Sequence, residues 1–271
     1  MKKIILLPLL LIIFQISFTQ DEENKPNKKF NSKFSIGAMT GVGSRLYKTN
    51  SHKTPFVPVF GGEVEGIYLI GTEIGYKKQI NEKLSLTGFT QIFGGLSLQG
   101  IGGALGGAAL DNSDMKEGYR GINDRKTQME YGIRVGYNLN KELKLVGEVR
   151  GGEYGGTGKG SIIRPIMVSR RFILIPQLNL TLLNKNISNY YFGVTESEAN
   201  NSESWKIDNK YEIDRITVAT SIGLTGSYYL TRKLSIFALT ELQYVGDEIS
   251  DSPIVDTNIN YFVGTGLRYT F

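Results

Sequence analysis

The chain has 271 residues, no cysteine, one histidine and a formal net charge of +5. Without cysteine, neither a disulfide framework nor a thiolate metal site is available, and a lone histidine excludes a multi-histidine zinc site. The mild, evenly spread basic balance gives no argument for nucleic acid.

Residues 1–19 read as a cleaved secretory signal peptide. Lys2 and Lys3 form a positive start, residues 4–16 an apolar run too short to span securely, and Ser17 and Thr19 the small residues before a cut ahead of Gln20. Cleavage lowers the formal charge from +5 to +3. Residues 20–33 are polar, charged and proline-bearing, and are expected to form a flexible periplasmic lead-in. No later stretch approaches the roughly 18 to 20 apolar residues of a transmembrane helix. An exported chain that spans a membrane must then do so as a closed barrel, because only helices and barrels satisfy their own backbone groups in lipid. A mature chain of about 250 residues fits one barrel, residues 34–271, without a second domain. The 40% hydrophobic content is what alternate lipid-facing residues require, and 33 glycines and 15 tyrosines suit tight turns and interfacial aromatics.

The strands follow in order. In residues 34–43, Phe34, Ile36, Ala38, Thr40 and Val42 point out, with Ser35, Gly37, Gly41 and Gly43 facing in. Residues 56–77 hold almost one phase, with Phe56, Phe60, Val64, Tyr68, Ile70, Ile74 and Tyr76 outward and Glu63, Glu65, Glu73 and Lys77 inward. Ile67 and Leu69 break that polar face, and Gly66 and Gly71 could mark bulges, so one long bent strand or two short ones are both open. Strands at 84–93, 129–137 and 143–150 come next, then a loop at 151–160. Strands at 161–168 and 172–183 each carry a proline that cannot donate to a ladder. Residues 184–214 form a long polar loop, and strands at 216–230, 234–244 and 258–271 close the list.

The last stretch alternates most strictly: Ile259, Tyr261, Val263, Thr265, Leu267, Tyr269 and Phe271 on one side, Asn260, Phe262, Gly264, Gly266, Arg268 and Thr270 on the other. Its terminal aromatics, Tyr269 and Phe271, are similar to the signal by which outer-membrane barrels are recognised for assembly. Connections near 80, 140, 170 and 232 are short, and those near 50, 110, 155, 200 and 252 mostly longer. Short periplasmic turns, long external loops and periplasmic termini belong to an outer-membrane barrel. The expected fold is therefore all-β: a transmembrane antiparallel β-barrel of about ten strands, or twelve if 56–77 splits and a long loop hides another.

Three words in the sequence resemble those of one family. Asn189-Tyr190-Tyr191-Phe192-Gly193-Val194-Thr195 runs on to Glu198-Ala199; Gly246-Asp247 precedes Ser252-Pro253-Ile254-Val255; and Gly121-Ile122-Asn123-Asp124-Arg125 precedes the strand at 129. In this order they resemble the MipA/OmpV family of MltA-interacting outer-membrane proteins, over the whole mature chain. The resemblance implies an outer-membrane barrel. For the family's named member it implies a scaffold joining a lytic transglycosylase to a bifunctional peptidoglycan synthase, and it carries no catalytic residues over.

Read physically, Tyr190, Tyr191 and Phe192 are three consecutive aromatics in a polar loop, which fold into the barrel mouth or contact a partner. His52 stands between Ser51 and Lys53 with no adjacent carboxylate to orient it as a general base. Residues 155–160 fail the phosphate-loop spacing at Glu153 and Gly160. Glu196, Glu198, Glu203, Asp208, Glu212 and Asp214, with a second acidic set at 247–256, read as solvated loops rather than cation sites shared with lipopolysaccharide. Inward Glu63, Glu65, Glu73, Glu130, Glu148 and Glu241 face Lys77, Arg134, Lys144, Arg150 and Arg268, a near-balance that implies ion pairs across a narrow lumen. The expected role is a non-enzymatic envelope scaffold with no cofactor, seated in outer-membrane lipid and lipopolysaccharide; the alternative is a narrow channel for small solutes.

Overall fold

The computed structural model describes residues 33–50, 56–94 and 109–271. The expected signal peptide, almost all of the lead-in, and His52 lie outside the described residues. Among those described, every strand pairing is antiparallel and the sheet closes on itself. Its strands are β1 (Lys33–Gly43), β2 (Phe56–Val64), β3 (Ile67–Ile70), β4 (Glu73–Gln79), β5 (Leu84–Gly94), β6 (Gln128–Asn138) and β7 (Lys144–Gly152). They continue with β8 (Gly155–Ile163), β9 (Ile166–Ser169), β10 (Phe172–Leu183), β11 (Thr217–Tyr229), β12 (Leu234–Val245) and β13 (Ile259–Thr270). β8 and β9 both pair with β10 and are parted only by Arg164 and Pro165, so they form one stave. The barrel thus has twelve staves, closed by β1 against β13 from Ser35 opposite Thr270 to Gly43 opposite Phe262.

The count is the twelve held open as the alternative to ten, and both added strands come from residues 56–77, which form three strands and not one or two. Tight turns at Glu65-Gly66 and Gly71-Thr72 separate them, with Glu65 at φ 50°, Gly66 at φ 90° and Gly71 at φ 59°. A two-residue turn pairs residue i with i+3, so each turn reverses the odd–even phase. Tyr68 therefore points inward, against the outward expectation, and Ile67 points out. Ile70 shares the lumen side with Tyr68, since it pairs with Glu73 and Gly61. The second turn reverses the phase again, which is why Glu73 and Lys77 return to the expected side. Two cancelling reversals made three strands look like one.

The other correction is at 151–160. That stretch is the end of β7, a turn at Glu153-Tyr154, and the first part of β8. Its glycines hide the alternation that apolar residues would have shown. Pro176 is tolerated inside β10 because its carbonyl accepts from Arg164 N (3.1 Å), opposite the break between β8 and β9. Its missing N–H points to the same side, where the ladder is already interrupted.

The end carrying the start of β1 and the end of β13 has only short connections, and the opposite end carries the long ones at 44–55, 95–127, 184–216 and 246–258. In outer-membrane barrels these are the periplasmic and external ends. The outer surface is apolar and exposed, with Ile133, Ile222 and Leu267 in the band. Tyr137, Tyr228 and Tyr269 lie toward the periplasmic rim, and Tyr131, Tyr244 and Tyr261 toward the external one. Inside, aromatic rings pack against glycines of the neighbouring strand. A Cβ on Gly266 would stand 2.5 Å from the Phe237 ring and 2.4 Å from Ala38 O. The glycine-rich inner face of β13 is thus room for rings.

Candidate functional site

The lumen wall from β3 to β7 is charged. Arg134 forks onto Glu73, both contacts at 2.9 Å, and its Nε donates to Glu148 Oε2 at 2.5 Å. Arg150 donates to Glu148, to Glu130 Oε2 at 3.1 Å and to Gln91 Oε1 at 2.9 Å. Tyr68 donates to Glu73 Oε1 at 2.6 Å. The Phe89 ring lies under both guanidinium groups, 4.5 Å and 5.3 Å from its centroid. These contacts link strands one or two apart along one wall. For these groups the expected pairs across the lumen are corrected, because carboxylate and guanidinium on nearby strands meet before either can cross.

The expected charge count shifts too. Glu65 sits in the turn after β2, and Lys159, on β8 opposite Glu148, is an inward cation that the loop expectation missed. Among the described residues, Glu63, Glu73, Glu130, Glu148 and Glu241 therefore face six bases, the expected five and Lys159. The wall formed by β12, β13, β1 and β2 carries instead an apolar cluster of Met39, Val57, Phe237, Leu239 and Phe262.

The long loops keep most of their acidic side chains exposed, as expected, and bury apolar ones. Their described residues fold together into a cap over the external end, with a core that includes Met115, Leu183, Ile187, Tyr191, Phe192 and Ile254. Within 184–216 the chain forms α1 (Lys185–Phe192) and α2 (Glu196–Ala199). Asn184 caps α1 by accepting from Ile187 N, and Thr195 with Glu198 makes a reciprocal capping box on α2. In 246–258, α3 (Asp247–Ser250) leads into Ser252, whose hydroxyl donates to Phe192 O at 2.5 Å.

The three sequence words meet in this cap. Arg125 Nη1 pairs with Glu198 Oε1 at 2.9 Å and its Nη2 donates to Gly193 O at 3.0 Å. Glu198 also accepts from Asn123 N and Thr195 N, both at 2.8 Å. Tyr47 Oη donates to Tyr191 O at 3.0 Å, and Lys48 Nζ donates to Pro253 O at 2.8 Å. Burial alone would push the Glu198 carboxyl up. The hydrogen bond from Arg125 and those from the Thr195 and Asn123 backbones outweigh it and hold the carboxyl below the usual range. Burial pushes the Tyr47 hydroxyl well above its ordinary value, so it stays a proton donor.

Tyr191 and Phe192 are fully buried in the cap core, with no side-chain area left for a partner. Tyr190 is half-buried; its ring stacks on Tyr154 at 3.6 Å and its hydroxyl accepts from Lys126 N at 2.8 Å. Tyr269 and Phe271 point outward at the periplasmic rim, their rings edge-to-face at 5.1 Å. Glu198 departs from the expected solvated acidic loop, because Arg125 comes to it from a distant loop. Its signal was present as a Thr-x-x-Glu capping box, T195 to E198. Tyr154 and Lys159 carried no comparable signal in a glycine-rich stretch.

A family model described as "MltA-interacting protein MipA" matches residues 36–271. A "24 kDa outer membrane protein" of Pasteurella multocida (strain Pm70) is 24% identical over 231 residues, covering 81% of this chain and 83% of the relative. The "MltA-interacting protein" of Escherichia coli (strain K12) is 24% identical over 256 residues, covering 88% and 90%. Among solved structures, a NanC porin aligns with a TM-score of 0.42 at 8% identity, over 86% of this chain and 98% of that one.

Proposed function

This chain belongs to the MltA-interacting protein family and is an outer-membrane β-barrel, and we propose that it works there as a non-enzymatic scaffold. The observation that carries the reading is the cap: the family's three words go into a buried core that packs the described loop residues together at the external end. A barrel covered in this way is suited to presenting surfaces rather than passing solute. The partners the reading names are a murein-cleaving lytic transglycosylase and a peptidoglycan synthase, reached through the periplasmic rim, with lipid and lipopolysaccharide around the wall. Export by cleavage after Thr19 is part of the same proposal, and N-terminal sequencing of the mature protein checks it.

The test is a pull-down from the native envelope with the full barrel as bait. Retention of murein hydrolases supports scaffolding, and their consistent absence sinks it. A narrow channel remains the second reading, favoured by an open cavity of about 460 Å³ in the lumen. Planar-bilayer conductance separates the two: a silent wild type that stays silent leaves the scaffold, and a steady open pore replaces it with transport.

A further inference from the structure

The cavity just mentioned lies at the periplasmic end of the lumen, and its lining is unlike the wall above it. Lys77, Arg134, Lys144 and Arg268 line it, against one carboxylate among the described residues, that of Glu63, with Ser85 and Thr87 beside them. Deeper in, Arg134 and Arg150 are each met by two carboxylates. By contrast, no ion pair joins Lys77, Lys144 or Arg268 to any described residue. Arg268 Nε is shut off from solvent and has no hydrogen-bond partner among the described residues.

Three cations lining one open recess repel one another, and a counter-anion relieves that repulsion. The volume is in the range of a small-molecule site and larger than a chloride needs. Arginine and lysine with neighbouring hydroxyls are the donor set for an oxyanion.

We propose that this vestibule binds a small oxyanion solute, carboxylate- or phosphate-bearing, that enters from the periplasmic side. The site uses Lys77, Lys144 and Arg268 as direct contacts, with Arg134 held in place by Glu73 and Glu148 at its floor. It rests on the lumen alone, so the outcome of the envelope pull-down leaves it untouched.

Equilibrium dialysis tests it, with the full chain refolded in nonionic detergent against labelled inorganic phosphate and, separately, citrate at constant ionic strength. Saturable binding of one anion is expected, and which of the two binds tells phosphate from carboxylate. Lys77→Gln combined with Lys144→Gln weakens it about tenfold or more, as loss of charged hydrogen bonds requires. Lys83→Gln, an exposed lysine in the turn at the same rim, leaves it unchanged. Heat-modifiable migration shows that each variant is folded. No saturable binding of either anion, or equal affinity in the double variant, overturns the proposal.

Discussion

Glu198→Ala is the sharpest perturbation of the cap. The carboxylate is 2% exposed, and it accepts from Arg125, Asn123 N and Thr195 N. Its removal strands the Arg125 guanidinium, itself 7% exposed, whose Nε already lacks a partner among the described residues. Breaking one half of a buried pair costs about 3–5 kcal/mol. If the cap opens independently of the wall, its open population rises by about 150- to 5,000-fold. Limited proteolysis reads this directly, as faster cleavage within 110–125 and 196–215, while the barrel keeps its heat-modifiable migration. The double variant Arg125→Met with Glu198→Leu recovers most of the loss, since an apolar pair of similar volume removes both orphaned charges. Cleavage of Glu198→Ala at the wild-type rate refutes the latch. Loss of the barrel in step with the cap refutes their independence.

The same carboxylate sets an acid limit. Its folded pKa lies below the ordinary value, so its contribution is present above the unfolded pKa and is lost as pH falls through the folded one. Pepsin digestion should therefore leave the wild-type cap intact through the usual carboxylate range and open it only at lower pH, a step that Glu198→Gln abolishes. Gly266→Ala, which drives a Cβ into Phe237 and Ala38 O, costs about 1–3 kcal/mol in urea unfolding from lipid. Gly147→Ala, with nothing within 4 Å, stays within about 0.5 kcal/mol; equal effects would show that the rings do not need the glycine face. Phe271→Ala removes an outward ring that touches Tyr269, so refolded stability changes by less than about 1 kcal/mol while outer-membrane abundance falls. Unchanged abundance would remove the assembly role from Phe271.

What was legible in the sequence was whatever a period of two could carry. β6 places an apolar side chain at every other position, and β13, β11 and β1 do so with few exceptions, so their faces follow directly. Residues 56–77 defeated the same method because their two turns are two residues long and restore the phase between them. β8 defeated it differently: Gly155, Gly156, Gly158 and Gly160 offer no side chain to alternate. The lumen charges were readable as a set, but their partners were not. Whether Arg134 meets a carboxylate across the lumen or two strands along the wall depends on register, which no local pattern states.

The cap shows where a family word carries structural information and not chemistry. Tyr191, Phe192 and Ile254 supply core, Arg125 with Glu198 supplies a latch, and Lys48 with Pro253 ties the first loop to the last. Each word is meaningless alone, because its partners lie tens to hundreds of residues away; only the closed barrel brings the loop ends together. Such a cap must be assembled after the wall, since β1 and β13 have to pair before the first and last external loops can meet. Glu198→Ala therefore leaves barrel refolding at its wild-type rate while slowing acquisition of protease resistance in the loops. Stopped refolding sampled by both heat-modifiable migration and proteolysis distinguishes the two steps, and simultaneous appearance of wall and cap would overturn that order.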